Sequence, residues 1–376
     1  MANRSLFNSQ ALPKADTLNA AGAPAYALSD KAALAQMAVT GVFNDTFYAS
    51  GADQLSQMKA LAQRVDEAFL AKLAVYARTS AYMKDMPAFL LALVAARSPQ
   101  LLAKVFDRVC DNGRMLRNFV QIVRSGEAGR RSLGYRPKKL VQNWLNSASE
   151  GRLLSASIGT SPSLGDVIRL SHPKAADGER EALYAWLMGR PVDVAKLPAR
   201  AAAMEAFRKG ESLELPQVPF ELLTSMPLSA ADWKRIAERA TWNQLRMNLN
   251  TFQRHGVFED VEMVAAVARR LVDPEAMRES KVFPYQLFSA ALFAGAEVPE
   301  LIKDALHVAL DQGLAMAPMP EQRVAVLVDT SGSMGQSVTG QSSGNPSKMR
   351  CVDVAALVAS AYLRSKADTV IVPFDT

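Results

Sequence analysis

The chain has 376 residues, 49% of them hydrophobic and 21% charged, which excludes global disorder. No apolar run approaches the roughly 20 residues that a bilayer crossing needs, and MANRSLFNSQALPKAD lacks the charged and apolar regions of a secretory leader, so a cytoplasmic protein is expected. The only cysteines, Cys110 and Cys351, lie far apart in sequence and form no CxxC motif, so they are expected as reduced structural thiols. The formal net charge is +6, yet the segment 104–139 alone holds ten Lys/Arg against three Asp/Glu, leaving the rest of the chain near neutrality. One basic zone on a balanced protein is the pattern expected of a surface that holds phosphates.

From about Asp53 to Gly313 the pattern is a succession of helix-length segments with apolar residues recurring at three and four. One stripe is Val65, Phe69, Leu73 and Tyr76; others are Leu102, Val105, Phe106 and Val109, then Leu116, Phe119, Val120 and Val123. Breaks at Asp85-Met86-Pro87, Ser98-Pro99, Asn112-Gly113, Arg136-Pro137, Gly189-Arg190-Pro191 and Pro216 to Pro219 separate segments of roughly ten to twenty residues. Short helices that cover one another predict a mainly α chain with a HEAT-like array, although no exact repeat is present.

Within this region Arg114, Arg117 and Arg124 are spaced by three and seven, which predicts a basic face opposite the apolar stripe of their helix. The run from Gly129 to Lys139 adds Arg130, Arg131, Lys138 and Lys139, anchored by Leu140, Val141, Trp144 and Leu145. Such cations position a nucleic-acid backbone without choosing a sequence, and the low aromatic content argues against a long base-stacking groove. Further on, Ser163-Leu-Gly-Asp166 reads as a capping box opening a helix that ends at Ser171-His172-Pro173-Lys174. A His in that place is ordinarily a cap or a surface residue.

Near Glu321 the composition changes. The run from Arg323 to Val328 suits a strand buried on both faces of a parallel sheet. It is followed by Asp329-Thr-Ser-Gly-Ser-Met334, a Gly/Ser-rich loop from Gly335 to Ser347, a helix over 348–365 with Val352, Ala355, Ala356, Ala359 and Leu363 on one face, and a strand over 369–374. Two strands and one helix cannot cover both faces of a parallel sheet, so the expectation is either that this sequence is a fragment or that its last segment is poorly held. Asp329, Ser331 and Ser333 offer one carboxylate and two hydroxyls, a set that suits a hard, partly hydrated cation such as Mg²⁺. The spacing D-x-S-x-S resembles the metal-ion-dependent adhesion site of von Willebrand factor A domains. That resemblance makes the two serines ligands and the Asp a helper through water; the later Thr and Asp of that family have no counterpart here.

No G-x-S-x-G, P-loop or HExxH motif is present, and His172, His255 and His307 have no evident nucleophile partner, so no enzyme activity is expected.

The string D-V-I-R-L-S-H-P-K at 166–174 resembles a signature of the TROVE domain of the Ro autoantigen family. FELLTSMPLSAADW at 220–233 and WNQLRMNL at 242–249 resemble another segment of it. The resemblance spans essentially the whole chain. It implies a monomeric ring of helical repeats over 15–320, followed over 321–376 by part of a von Willebrand A domain. It further implies binding of small noncoding Y-like RNAs on an outer basic surface, uptake of single-stranded ends of misfolded RNAs in a central hole, and, by analogy with bacterial relatives, association with an exoribonuclease. His172 and Lys174 fall where family members contact Y RNA. Arg130, Arg131, Lys138 and Lys139 fit the basic surface, though G-Y-R-P-K-K departs from the family's usual form, and Arg246 and Asn248 fit structural roles in ring closure. Two other readings are a helical protein-interaction scaffold with a metal-bridged A-domain partner site, and a shortened product with a protease-sensitive tail after Met319.

Overall fold

The computed structural model describes residues 14–18, 22–45, 49–316, 320–338 and 348–375; most of the expected Gly/Ser-rich loop, 339–347, lies outside the described residues. The chain is mainly α and divides into two compact units, 1–198 and 199–376. The compositional change near 321 therefore falls inside the second unit.

Among the described residues of the first unit a short antiparallel pair, β1 (Thr17–Leu18) and β2 (Pro24–Ala25), precedes ten α-helices. These are α1 (Asp30–Thr40), α2 (Gly51–Gln63), α3 (Glu67–Thr79), α4 (Asp85–Arg97), α5 (Pro99–Val109), α6 (Gly113–Ser125), α7 (Tyr135–Ser147), α8 (Glu150–Ala156), α9 (Leu164–Ser171) and α10 (Gly178–Leu187). The starts follow local chemistry. Ser50, Asp66, Asn112, Ser149, Ser163 and Asp177 each turn a side-chain oxygen onto a backbone N–H of the first turn, and Pro99 takes the first position of α5.

Packing alternates between two layers. α3, α5, α7 and α9 contact one another in succession, while α4, α6 and α8 do so on the other side, the arrangement of a helical-repeat solenoid. Packed against α1, α3, α5 and α6, α4 is buried over ten consecutive residues, Met86 to Ala95, as an enclosed helix must be. Phe106 and Phe119 meet edge to face at 5.4 Å, both fully buried.

Two sequence expectations shift here. Asp66 caps α3, so Val65 lies ahead of the helix and the buried face runs through Leu70, Leu73 and Ala77, which leaves Tyr76 at the surface. The break expected at Arg136-Pro137 falls at Gly134 instead, because a proline in the first turn of α7 forfeits no intrahelical hydrogen bond.

The second unit holds α11 (Ala199–Arg208), α12 (Ala230–Arg239), α13 (Trp242–Arg254), α14 (Val261–Leu271), α15 (Pro274–Ser280), α16 (Pro284–Phe293) and α17 (Glu300–Ala315), then β3 (Ala325–Asp329), α18 (Cys351–Ser365) and β4 (Val370–Phe374). Its core is built on Trp233, Phe252, Phe258, Leu271 and Ile302. The strands pair in parallel from Ala325–Val370 to Asp329–Phe374, as a βαβ unit requires. The β3 burial read from the sequence is corrected: only Val328 is buried, and Leu327 is 66% exposed, because two strands and one helix leave a sheet face open. Of the face expected for α18, Ala359 is buried, but Leu357 and Ala361 take the other buried positions and Leu363 lies at the surface. It rests on α16 and α17 through Leu357, Ala361, Leu314 and Phe288, and the Arg364 guanidinium donates to both carboxylate oxygens of Asp311.

Phe119→Ala is expected to cost the first unit about 3–5 kcal/mol, because a fully buried ring leaves a cavity between layers that cannot collapse; a urea titration followed by circular dichroism measures it.

Candidate nucleic-acid interface

The Ser163 capping box forms as read. Ser163 Oγ accepts from the Asp166 N–H at 3.1 Å, and Asp166 Oδ2 accepts from the Ser163 N–H at 3.0 Å. The Ser163 hydroxyl and N–H, with Arg169 beside them, hold the Asp166 carboxyl below its ordinary value. α9 then runs eight residues and ends at His172, whose φ of 48° and ψ of 60° put it in the left-handed region. There its N–H reaches back to the Ile168 carbonyl. A non-glycine residue there carries strain, and strain persists only where surrounding contacts fix it.

Those contacts come from α7. Gln142 Nε2 donates to the Ser171 carbonyl at 2.7 Å and to the His172 carbonyl at 3.1 Å, and Asn146 Nδ2 donates to the Lys174 carbonyl at 3.0 Å. Asn146 is itself held by the Tyr184 hydroxyl, which donates to its Oδ1 at 2.8 Å; burial pushes the Tyr184 pKa up to about 12. The backbone of the whole His172–Lys174 turn is therefore pinned, while both side chains stay exposed. They line a groove of about 760 Å³ together with Arg169 and Arg190. Sequence reasoning missed Gln142, Asn146 and Tyr184, because polar residues inside helices announce no partner.

Lys138 and Lys139 stand on the first turns of α7, half-buried and exposed respectively. The helical period places them on the same side as Gln142 and Asn146, the side turned to the His172 turn. Arg131 is exposed beside Gly126. Arg114 is exposed on α6.

Arg117 and Arg130 depart from expectation. Arg117 is only 8% exposed, and its guanidinium donates to the carbonyls of Ile158 and Pro162. It stands on a flank of α6 that the loop after α8 covers, so spacing alone misplaced it on an open face. Burial, and secondarily Arg114, lower its pKa. A Cβ on Gly159, at φ 110°, would come within 2.5 Å of the guanidinium, so this loop is shaped around it. Arg130 is half-buried and donates to the Ala95 and Ser132 carbonyls at 3.1 and 2.9 Å, closing the end of α4. Both are framework cations that hold backbone carbonyls of the protein itself.

In the second unit the D-x-S-x-S residues converge. The Ser331 N–H donates to Asp329 Oδ1 at 2.8 Å and the Ser331 and Ser333 hydroxyl oxygens lie 3.2 Å apart. The Ser331 hydroxyl and N–H keep the Asp329 carboxyl below its ordinary value, hence ionised at neutral pH. One carboxylate and two hydroxyls in this compass match part of a Mg²⁺ shell. Among the described residues no cluster of three or more His, Cys, Asp or Glu adds to it. Arg246 donates to the Gln286 carbonyl at 3.0 Å and Asn248 to the Gln244 carbonyl at 2.8 Å, both within the framework of this unit.

No family model matches the chain. Over 95% of its length it is 26% identical to the RNA-binding protein RO60 of Deinococcus radiodurans, of which the alignment covers 72%. The crystal structure of the Deinococcus radiodurans RO (RSR) protein superposes on it with a TM-score of 0.65 at 22% identity, over 92% of this chain and 75% of that one. The resemblance to the Ro family thus holds in sequence and in fold along nearly the whole chain.

Two outcomes test the geometry of this face. His172→Gly relieves the left-handed strain and is expected to raise stability to urea by up to about 1 kcal/mol, whereas His172→Ala does not. The Asp166 pKa is depressed in the fold, so its contribution is complete above the ordinary carboxylate value and is lost as pH falls below about 4; Asp166→Asn should flatten the pH dependence of thermal unfolding in that window.

Proposed function

We propose that the chain is a non-enzymatic RNA-binding protein that holds small structured, Y-like noncoding RNAs on the surface formed by α7 and the His172–Lys174 turn. The observation that carries this reading is the pinned turn itself: a strained His and a neighbouring Lys, their backbone fixed by Gln142 and Asn146, face a groove of about 760 Å³ rimmed by further cations. Fixing the backbone before binding lowers the ordering cost of association. The name of the Deinococcus relative, an RNA-binding protein, points the same way. Arg114, Arg131, Lys138, Lys139, His172 and Lys174 make the phosphate or edge contacts, and Arg117 and Arg130 serve the scaffold behind them.

Finer parts of the proposal rest on the family resemblance: a monomeric ring over 15–320, uptake of single-stranded ends of misfolded RNAs, work in RNA quality control beside an exoribonuclease, and a cytoplasmic location. Among the described residues no helix is long and apolar enough to cross a membrane. Over 321–376 we propose part of an A-type domain in which Asp329, Ser331 and Ser333 present oxygens to Mg²⁺, a cation that could bridge a partner's carboxylate. Saturable Mg²⁺ binding in calorimetry, abolished by Asp329→Ala, is the expected result there.

The main test is a gel-shift titration against a structured small RNA with a single-stranded 3′ tail and against duplex DNA at two salt concentrations. Preference for the RNA and affinity that falls with salt are expected. Lys138→Ala/Lys139→Ala should weaken binding and flatten the salt slope by about one unit for each phosphate that is no longer neutralised. Binding that ignores salt, or that does not prefer RNA, sends the search to protein partners of a helical scaffold.

A further inference from the structure

On the far side of α9 from the His172 groove lies a second one, of about 480 Å³, lined by Val120, Arg124, Pro162, Asp166 and Leu170. Arg169 lines both grooves and so stands on the ridge between them. Its guanidinium is not loose: one terminal nitrogen donates to Asp166 Oδ1 at 2.9 Å and the other to the Met188 carbonyl at 2.6 Å. The side chain nevertheless remains about half exposed. Two of its five donors are used by these bonds, so a planar cation is held in a fixed pose with donors to spare.

Charge on this ridge favours an anion. Arg124 rims one groove; Lys174 and Arg190 rim the other; only Asp166 and Glu181 oppose these three cations and Arg169. Asp166 is already occupied by Ser163 and Arg169. The floors are apolar, from Val120, Pro162 and Leu170 on one side and Ile168, Ala185 and Met188 on the other. A cationic rim over an apolar floor suits a chain of alternating phosphates and flat, weakly polar bases better than a carboxylate ligand, which would leave the floor unused.

We infer that Arg169 grips a phosphate of an RNA strand crossing α9, and that Arg124 and Arg190 carry the same strand into the grooves on either side. Through Arg169 and Arg190 this extends the interface past the residues that the sequence points to, and it rests on the RNA-binding reading above. Being fixed beforehand, Arg169 loses little rotamer freedom on binding and acts as the reference point of the path. Arg124 and Arg190 are exposed and close over the strand when it arrives.

The test is a salt series of affinities for the tailed RNA, with thermal unfolding of every variant. Arg124→Ala/Arg190→Ala touches no framework bond and is expected to bind about ten-fold more weakly. Its salt slope should be shallower by about two, with an unchanged unfolding midpoint. Arg169→Ala should flatten the slope by about one, and Arg169→Lys should restore the slope while affinity stays below wild type, since lysine keeps the charge and not the fork. If Arg169 only braces Met188, its variants lower the midpoint and leave the slope alone, which overturns its role as the grip. Wild-type slope and affinity in the double variant, with Lys138→Ala/Lys139→Ala still impaired, overturn this extension and spare the RNA-binding reading; failure of the wild-type chain to bind RNA overturns both.

Discussion

A helix of ten to thirteen residues with one apolar stripe is marginal in water alone, and the first unit is organised around that fact. Each short helix is stable only where its stripe lies against a neighbour two positions along the chain and another in the facing layer. The buried length of α4 is the extreme case: it has no polar side, so the helices around it must be present before it can persist. What reaches the surface is then the polar flank of each amphipathic helix, the helix ends and the loops between them, and the candidate interface is made of those.

Helix ends bring a difficulty of their own, since the last turn of each helix leaves carbonyls without partners. Arginine solves it repeatedly here. Arg97 donates to the Ala62 carbonyl at the end of α2, Arg130 to Ala95 at the end of α4, Arg180 to Ala148 after α7, Arg169 to Met188 after α10, and Arg270 to Ala237, Glu238 and Ala240 at the end of α12. A cation at a helix C-terminus is also favoured by the peptide dipoles, so the same side chain satisfies both demands. A count of basic residues therefore overstates the cations open to a ligand. Part of the apparent surplus in the zone 104–139 is framework, as Arg117 and Arg130 are.

This explains which parts of the molecule were legible in the sequence. Elements with a local cause were: the Ser163–Asp166 box, the break at Asn112-Gly113, the D-x-S-x-S turn at the end of its strand and the helix end at His172 all follow from residues within a few positions of one another. Facing relations between distant segments were not. The spacing of Arg114, Arg117 and Arg124 is helical, but whether a helix flank is open depends on the loop after α8, which no periodicity in α6 records. Likewise the burial of β3 and α18 is decided by how many strands cover the sheet. Gln142 and Asn146, the residues that hold the turn, look like ordinary polar helix positions until the turn is set against them.

The placement of the proposed interface at the C-terminal end of α9 runs against the usual preference, because that end carries partial negative charge and repels phosphate. The structure removes the objection group by group. Gln142 covers the carbonyls of Ser171 and His172, Asn146 covers that of Lys174, and Arg169 covers that of Met188 across the groove. Once those oxygens have donors, the field at the turn is set by the side chains of Arg169, Lys174 and Arg190 and by the imidazole of His172. Neutral amides do the covering at the turn, which leaves Lys174 uncommitted to the backbone and able to face a ligand; a lysine spent on those carbonyls, as Lys366 is on the carbonyls of Pro320, Glu321 and Gln322, would have no N–H donor left to offer.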